Sequence, residues 1–178
     1  MTMKTDRKTI AKYILTVLTL AWMIMIFALS AVRATESNKV SVKDAGYISS
    51  KIVKDYDKKN YREQIDITAT IHHLMRKAAH FAEFAILGAM ITADIFLWFA
   101  PGNLLLFISS LVIGTVYAAS DEIHQYYVPG RSCEFKDVLI DAAGVLGGVL
   151  FTLIVIYIVR RISSKKRTSE KKDIQTEA

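Results

Sequence analysis

The chain has 178 residues, of which 52% are hydrophobic, and its mean hydropathy of +0.29 is high for a water-soluble domain. The formal net charge is +6, carried largely by basic ends, and no nucleic-acid-binding motif accompanies it. A single cysteine, Cys133, excludes an intrachain disulfide. These properties favour one integral membrane domain over a soluble or nucleic-acid-binding protein.

The first predicted element is a membrane-spanning helix. Residues 1–12 form a basic tail, and the uncharged run 13–32 that follows is long enough to cross a hydrocarbon core of about 30 Å. Basic residues before the run and small residues behind it are also typical of a signal peptide. The apolar part is longer than the usual signal-peptide core of about 7–15 residues, so we expect a retained span.

A polar loop over residues 34–76 follows. It contains a predicted amphipathic helix at the membrane surface, because its apolar residues recur near helical spacing at Val42, Ala45, Ile48, Ile52 and Tyr56. A second helical pattern runs from Ile67 into the next span without a breaker. We therefore expect one long helix that begins at about Asp66.

Three further spans complete the predicted bundle. The second covers about residues 78–99, and Pro101 and Gly102 then form a turn, because both residues break helices. The third covers about 104–124 and the fourth about 138–159. The charged residues 160–178 predict a solvated, disordered tail. The predicted fold class is an all-α integral membrane protein, with four transmembrane helices in a domain of residues 13–159 and an amphipathic segment between the first two.

Charge distribution predicts the orientation of this bundle. An even number of spans puts both termini on one side, and the basic residues tight against spans one and four place that side in the cytoplasm of a cell membrane. The chain between residues 33 and 77 also holds ten Lys or Arg residues, which is a conflicting signal. We give the tails more weight because their charges adjoin the spans.

Polar residues from three predicted helices meet at one depth. His80 lies 21 residues before Pro101 and Glu122 lies 20 residues after Gly102, so both stand about 30 Å from the turn. The fourth span begins on the same side. The sequence therefore predicts a polar pocket at this end of the bundle, which is the outer end in the expected orientation.

The residue types in this pocket suggest acid/base chemistry or the binding of an anionic headgroup. Intramembrane acids are costly and normally face partners inside the protein, and clusters of ionisable groups often mark functional sites. The candidate catalytic residues are Glu122, His80, Glu83 and Asp121. The candidate ligand-binding residues are Arg131, Gln125, His124, Lys77, Asp137 and Asp141. Among them, the planar guanidinium of Arg131 suits two-point contact with a phosphate or carboxylate.

Three interpretations stay open: ligand binding, membrane-embedded catalysis, and a structural polar clasp that locks the helices. His80 with Glu83, and Asp121 with His124, have the i, i+3 spacing that metal centres in helical bundles use. That spacing is not specific, so the sequence assigns no metal and no other cofactor. Gly144 and Gly148 form a GxxxG motif, which predicts close approach of another helix.

Four segments, WMIMIFALS, RKAAHFAEFAILG, SDEIHQYYVPGRS and DVLIDAAGVLGG, carry a family resemblance. Together they resemble the VanZ-like family over about residues 13–159. The family pattern falls on Lys77, His80, Glu83, Phe84, Asp121, Glu122, His124, Gln125, Arg131, Asp137, Asp141, Gly144 and Gly148. One departure concerns Asp141, which stands where many members of the family have Asn.

The resemblance implies a cell-envelope protein associated with reduced susceptibility to teicoplanin, a lipid-bearing glycopeptide. It implies no particular reaction, and neither enzyme activity nor an oligomeric state follows from the sequence. The expected partners are membrane lipids and a lipid-linked envelope component or lipoglycopeptide, with no nucleic acid.

Overall fold

The computed structural model describes residues 7–32, 37–128 and 135–176, and every regular element in these ranges is helical. The elements in chain order are α1 (Arg7–Val32), α2 (Ser37–Ile52), a 3₁₀ turn (Tyr56–Lys58), α3 (Tyr61–Phe99), α4 (Asn103–Tyr126) and α5 (Phe135–Thr176). Helices α1, α3, α4 and α5 are each long and apolar enough to cross a membrane. The predicted all-α fold with four spans is confirmed.

A narrow apolar core joins the four spanning helices. Ile26, Phe84 and Val145 are completely buried in it. The outward faces of the same helices carry large apolar side chains that are widely exposed, such as Val116 and Phe151, each at 64%. Soluble proteins rarely expose apolar surface on this scale, and a hydrocarbon solvent removes its cost.

Helices α3 and α5 make the most extensive contact in the bundle and run in the same direction. Lys77 meets Asp137 near the start of both helices, at 3.2 Å between Nζ and Oδ1. Further along, the hydroxyl of Thr152 donates to the carbonyl oxygen of Ala89 at 3.4 Å. This parallel arrangement carries residues at the beginning of α3 and α5 to the same end of the molecule.

Glycines permit the close approach of α5 to α3. A Cβ atom on Gly144 would overlap the carbonyl oxygen of Phe81, and one on Gly148 would overlap that of Ala85. Both glycines belong to the GxxxG motif seen in the sequence. Because no side chain separates the backbones here, polar residues one or two turns before these glycines face α3 directly.

The turn between α3 and α4 lies where the sequence predicts it. Ala100 ends α3 in a left-handed conformation with φ 43°, and its N–H donates to the carbonyl oxygen of Phe96 at 3.0 Å. Pro101 and Gly102 follow, and α4 begins at Asn103. Helix α4 therefore returns antiparallel to α3.

Helix α3 begins at Tyr61, five residues before the predicted start. The Asn60 side chain accepts from the N–H of Glu63 at 2.9 Å, and the Glu63 carboxylate accepts from the N–H of Asn60 at 3.2 Å. This capping box satisfies N–H groups that the first turn leaves unpaired. With 39 residues the helix is about 58 Å long, so it extends well beyond the membrane core.

The amphipathic segment in the polar loop is confirmed as a helix, α2, and it packs against α3. This contact, which the sequence did not predict, completely buries Ala45 and Ser49, whereas Tyr47 and Ile52 stay exposed at 67% and 74%.

The C-terminal segment also differs from the sequence expectation. Residues 160–176 continue α5, where the charge content predicted a disordered tail. The segment contains no glycine or proline and is rich in Lys and Arg, which are good helix formers. A spanning helix that meets no stop signal continues into water.

Candidate functional site

The site lies at the end of the bundle from which α3 and α5 both run into their membrane-spanning parts. A crevice between these two helices is lined by Arg76, Lys77, His80, Asp137, Ile140 and Asp141. The space in it is about 10 Å³, enough for about one water molecule. The crevice combines predicted binding residues from two helices that are far apart in the sequence.

Two pairs of charged or ionisable side chains form the crevice. The outer pair is Lys77 and Asp137, 3.2 Å apart with side chains 25% and 27% exposed. The inner pair is His80 and Asp141, with 3.9 Å between Nδ1 and Oδ1 and side chains 11% and 1% exposed. The distance of the inner pair is too long for a direct hydrogen bond but suits a bridging group.

Asp141 stands at the centre of an acidic layer. Its electrostatic neighbours are four further carboxylates, those of Glu122, Asp121, Asp137 and Glu83. Helix α3 supplies Glu83, α4 supplies Asp121 and Glu122, and α5 supplies the other two. The structure therefore brings all four candidate catalytic residues to one end of the bundle. Four of the six candidate binding residues join them, because Lys77 pairs with Asp137 and Gln125 bonds to Asp121.

Asp121 differs from the other acids because α1 contributes to its surroundings. Ser30 Oγ donates to Asp121 Oδ2 at 3.0 Å, and Gln125 Nε2 donates to the same oxygen at 2.7 Å. Asp121, Gln125 and Ser30 are all buried. This group, which we call the α1–α4 clasp, ties the first span to the third and has the character of a structural contact.

Glu122 is next to Asp121 in the sequence but points elsewhere. Successive residues of a helix diverge by about 100°, so the two carboxylates leave the helix in different directions. Glu122 is 2% exposed and is the first electrostatic neighbour of Asp141. It belongs with the α3–α5 side of the layer.

Three candidate binding residues are not placed in the crevice, and one of them, Gln125, belongs to the α1–α4 clasp. His124 is exposed, and its ring makes an edge contact with Phe27 of α1 at 5.2 Å between centroids. The prediction that it binds a ligand together with the buried acids gains no support from this position. Arg131 lies outside the described residues, as does Cys133.

The metal hypothesis gains no geometric support. Within residues 7–32, 37–128 and 135–176, no group of three or more His, Cys, Asp or Glu side chains is arranged to hold a metal ion. His124 would have to join His80 and Glu83 for the two i, i+3 pairs to share one ion, but it lies against α1.

The sequence reasoning overlooked what α1 contributes. Ser30 completes the α1–α4 clasp, and Trp22 donates from Nε1 to the carbonyl oxygen of Glu83 at 3.1 Å. Tyr117 also reaches α1, because its hydroxyl donates to the carbonyl oxygen of Met23 at 2.6 Å. A serine or tryptophan inside an apolar run signals a polar contact, but the run alone does not identify the partner.

A second polar contact lies at the opposite end of the bundle. Thr16 of α1 donates to Asp94 of α3 at 2.8 Å, and Trp98 Nε1 donates to Thr16 at 3.0 Å. The Lys12 ammonium lies 5.3 Å from the centroid of the Trp98 ring. Asp94 thus has its own hydrogen-bond donor and lies far from the acidic layer. A substitution of Asp94 is therefore a suitable control for substitutions in that layer.

The fold and the site together define a class of protein: a multi-pass membrane protein with a buried acidic layer near one membrane border. The chain belongs to the VanZ/LLP1 family, whose pattern matches residues 15–158 and so includes all four spans. No curated protein and no solved structure matches the chain.

Proposed function

We propose that this VanZ-like protein acts in the cell membrane, where it lowers susceptibility to lipoglycopeptide antibiotics such as teicoplanin by binding or modifying a lipid-linked envelope component. The observation that carries the proposal is the crevice of Lys77, His80, Asp137 and Asp141, backed by the buried carboxylate of Glu122. The crevice opens at the membrane border, where a lipid-linked headgroup would lie.

Burial of the acids supports a function beyond packing. Asp141 and Glu122 are 1% and 2% exposed, and intramembrane carboxylates are costly unless they meet partners or serve a pathway. The α1–α4 clasp already accounts for Asp121. Asp141 accepts no hydrogen bond from any residue that the structure describes, and it lines the crevice.

The expected orientation puts this crevice at the outer face. Arg160 and Arg161 follow the fourth span directly, and Lys8 and Lys12 lie at the start of the first. By the positive-inside rule these residues favour cytoplasmic termini, so the opposite end, with the crevice, faces outward. Lipoglycopeptides and lipid-linked envelope components are reachable from that side.

The test is teicoplanin susceptibility in cells that express wild type, Glu122→Gln or Asp94→Asn at matched membrane levels. Glutamine keeps the shape of Glu122 and removes its charge, and Asp94→Asn removes a partnered acid at the other end of α3. We expect wild type and Asp94→Asn to protect and Glu122→Gln to lose protection. Equal protection by all three proteins would reject the acidic layer as the working site.

A catalytic form of this function is favoured by one observation. The His80 and Asp141 pair, with Glu122 near Asp141, resembles an acid and base that could exchange a proton through one bridging group. A catalyst would leave a product. Mass spectra of lipids from cells with wild type should then contain a modified species that cells with Glu122→Gln lack, and identical spectra would favour binding alone.

A structural scaffold is the competing interpretation, and the α1–α4 clasp favours it for Asp121. If the whole acidic layer served folding, Glu122→Gln would lower both membrane level and melting temperature, because a buried partner would be left without its charge. The matched-level comparison separates this outcome from a loss of function in a folded protein.

A further inference from the structure

The crevice between α3 and α5 presents Arg76 and the Lys77–Asp137 pair at its mouth and the carboxylate of Asp141 inside. Arg76 is exposed, and Lys77 is partly exposed beside Asp137. Asp141 lies deeper, with 1% of its side chain exposed. A ligand that enters from this end therefore meets Arg76 and the Lys77–Asp137 pair first and the carboxylate of Asp141 second.

Asp141 has no hydrogen-bond donor of its own. Neither of its carboxylate oxygens accepts a hydrogen bond from any residue that the structure describes. Nδ1 of His80 is 3.9 Å from Asp141 Oδ1, beyond hydrogen-bonding distance. Because an unsatisfied buried acid is destabilising, this side chain is suited to a donor supplied by a ligand.

The acidic surroundings of Asp141 favour a donor that carries positive charge. Four further carboxylates act on Asp141, and the acidic layer lies at the border of a low-dielectric membrane. An added positive charge is strongly favoured in such a place. The described residues contain no cluster suited to a metal ion, so an organic cation fits better.

The size of the crevice narrows the choice of cation. Space for about one water molecule admits a primary ammonium group, which is similar in size and carries three N–H donors. A trimethylammonium group is larger and has no N–H to donate. The exposed Arg76 and Lys77 at the mouth are suited to an anionic group such as phosphate.

We infer that the crevice binds a primary ammonium group carried next to a phosphate, as in the headgroup of an ethanolamine phospholipid. The ammonium donates to Asp141, and the phosphate lies against Arg76 and Lys77. This inference rests on the proposed function, because the crevice is the same site, and it names the class of ligand that the site recognises.

The test is native mass spectrometry of the full-length protein, purified in detergent and titrated with lipids. The probes are phosphatidylethanolamine, its monomethyl and dimethyl derivatives, and phosphatidylcholine, all with the same acyl chains. Binding should weaken with each added methyl group and differ roughly tenfold between the two ends of the series. Equal binding across the series by wild type overturns the inference without the need for any variant.

Two variants separate the ammonium contact from the phosphate contact. Asp141→Asn should abolish the preference for phosphatidylethanolamine while binding of phosphatidylcholine stays the same. Lys77→Gln should weaken both lipids by the same factor, because both carry the phosphate. Asp94→Asn, at the other end of α3, should keep the full preference for phosphatidylethanolamine. If this control variant loses the preference, the lipid does not bind through the crevice.

Free phosphoethanolamine distinguishes a lipid from a soluble ligand. It should compete weakly, because it lacks the acyl chains, and competition as strong as that of the lipid would overturn the lipid source. The Asp141→Asn variant could lose protection against the antibiotic and still prefer phosphatidylethanolamine. That combination would reject the ammonium contact but not the proposed function. Selective binding by a wild type that gives no protection would support the inference and reject the proposed function.

Discussion

Adjacent carboxylates in α4 have different roles at the level of single residues. Asp121 accepts from Ser30 and Gln125 within the α1–α4 clasp, while Glu122 is buried on the side of Asp141. The clasp ties α1 to α4, and Asp141, the neighbour of Glu122, lines the crevice. One helix turn thus supplies both a packing contact and a candidate site residue.

The clasp can be tested through Ser30. Replacement of Ser30 by Ala removes a buried donor to Asp121, and we expect a loss of about 1 kcal/mol of stability, as hydrogen bonds between membrane helices typically contribute. Thermal unfolding in detergent measures it. Ser109→Ala is the matched control, because that hydroxyl donates to a carbonyl of its own helix, that of Leu105, at 2.7 Å. An equal effect of both substitutions would refute the clasp.

The contact between α3 and α5 determines the geometry of the site at the level of elements. The glycine stripe of α5 brings its backbone against Phe81 and Ala85, one or two turns from the crevice. The distances between Lys77 and Asp137 and between His80 and Asp141 therefore depend on how closely the two helices approach. A displaced α5 would open both pairs at once.

Gly148→Ala should separate these helices. An added Cβ would lie 2.7 Å from the backbone nitrogen of Ala89 and would overlap the carbonyl oxygen of Ala85. We expect a loss of about 1–3 kcal/mol, which is typical of overpacking, measured as a lower melting temperature. Gly147→Ala is the neighbouring control: its Cβ would meet only Phe81 Cζ at 3.6 Å, and helix propensity favours alanine there by about 1 kcal/mol. Equal melting temperatures for the two variants would contradict the close approach.

The ends of α3 and α5 show how far local sequence signals predict where a helix begins and ends. Asn60 and Glu63 form a capping box that the sequence contains, and recognising it would have placed the start of α3 at Tyr61. The end of α5 carried no such signal, since residues 160–176 hold no helix-stopping residue. High charge alone predicts solvation of a segment and does not decide whether it is helical.

We expect charges at the two ends of the molecule to set its orientation in the membrane. The hairpin of α2 and α3 extends from the end that carries the crevice, and the last turns of α5 extend from the other end. Lys58 is 82% exposed on the hairpin, and Lys165 is exposed on α5. These two positions report on opposite sides of the membrane.

Thiol labelling of these positions tests the orientation. Cysteine is introduced as Lys58→Cys or Lys165→Cys after Cys133 has been replaced by serine, so that each protein has one thiol. We expect a membrane-impermeant reagent to label Lys58→Cys in intact cells and Lys165→Cys only after lysis. The reverse pattern would put the crevice in the cytoplasm and exclude direct contact with external lipoglycopeptides.

The sequence alone determined the four spans, the turn at Pro101 and Gly102, and the end of the bundle where polar residues gather. These features depend on local quantities: the length of an apolar run, the helix-breaking residues, and a rise of about 1.5 Å per residue that sets depth. For the same reason the sequence placed His80, Glu122 and Asp141 at one level before any contact was known.

Only the tertiary structure decided which of these residues touch. Ser30 reaches Asp121 across 91 positions of sequence, and no periodic pattern in either helix indicates that pairing. The same holds for the packing of α2 on α3 and for the contact of His124 with Phe27, because sequence patterns indicate neither contact. Partners of this type depend on how whole helices pack and rotate against one another, which is a property of the complete bundle and not of any one segment.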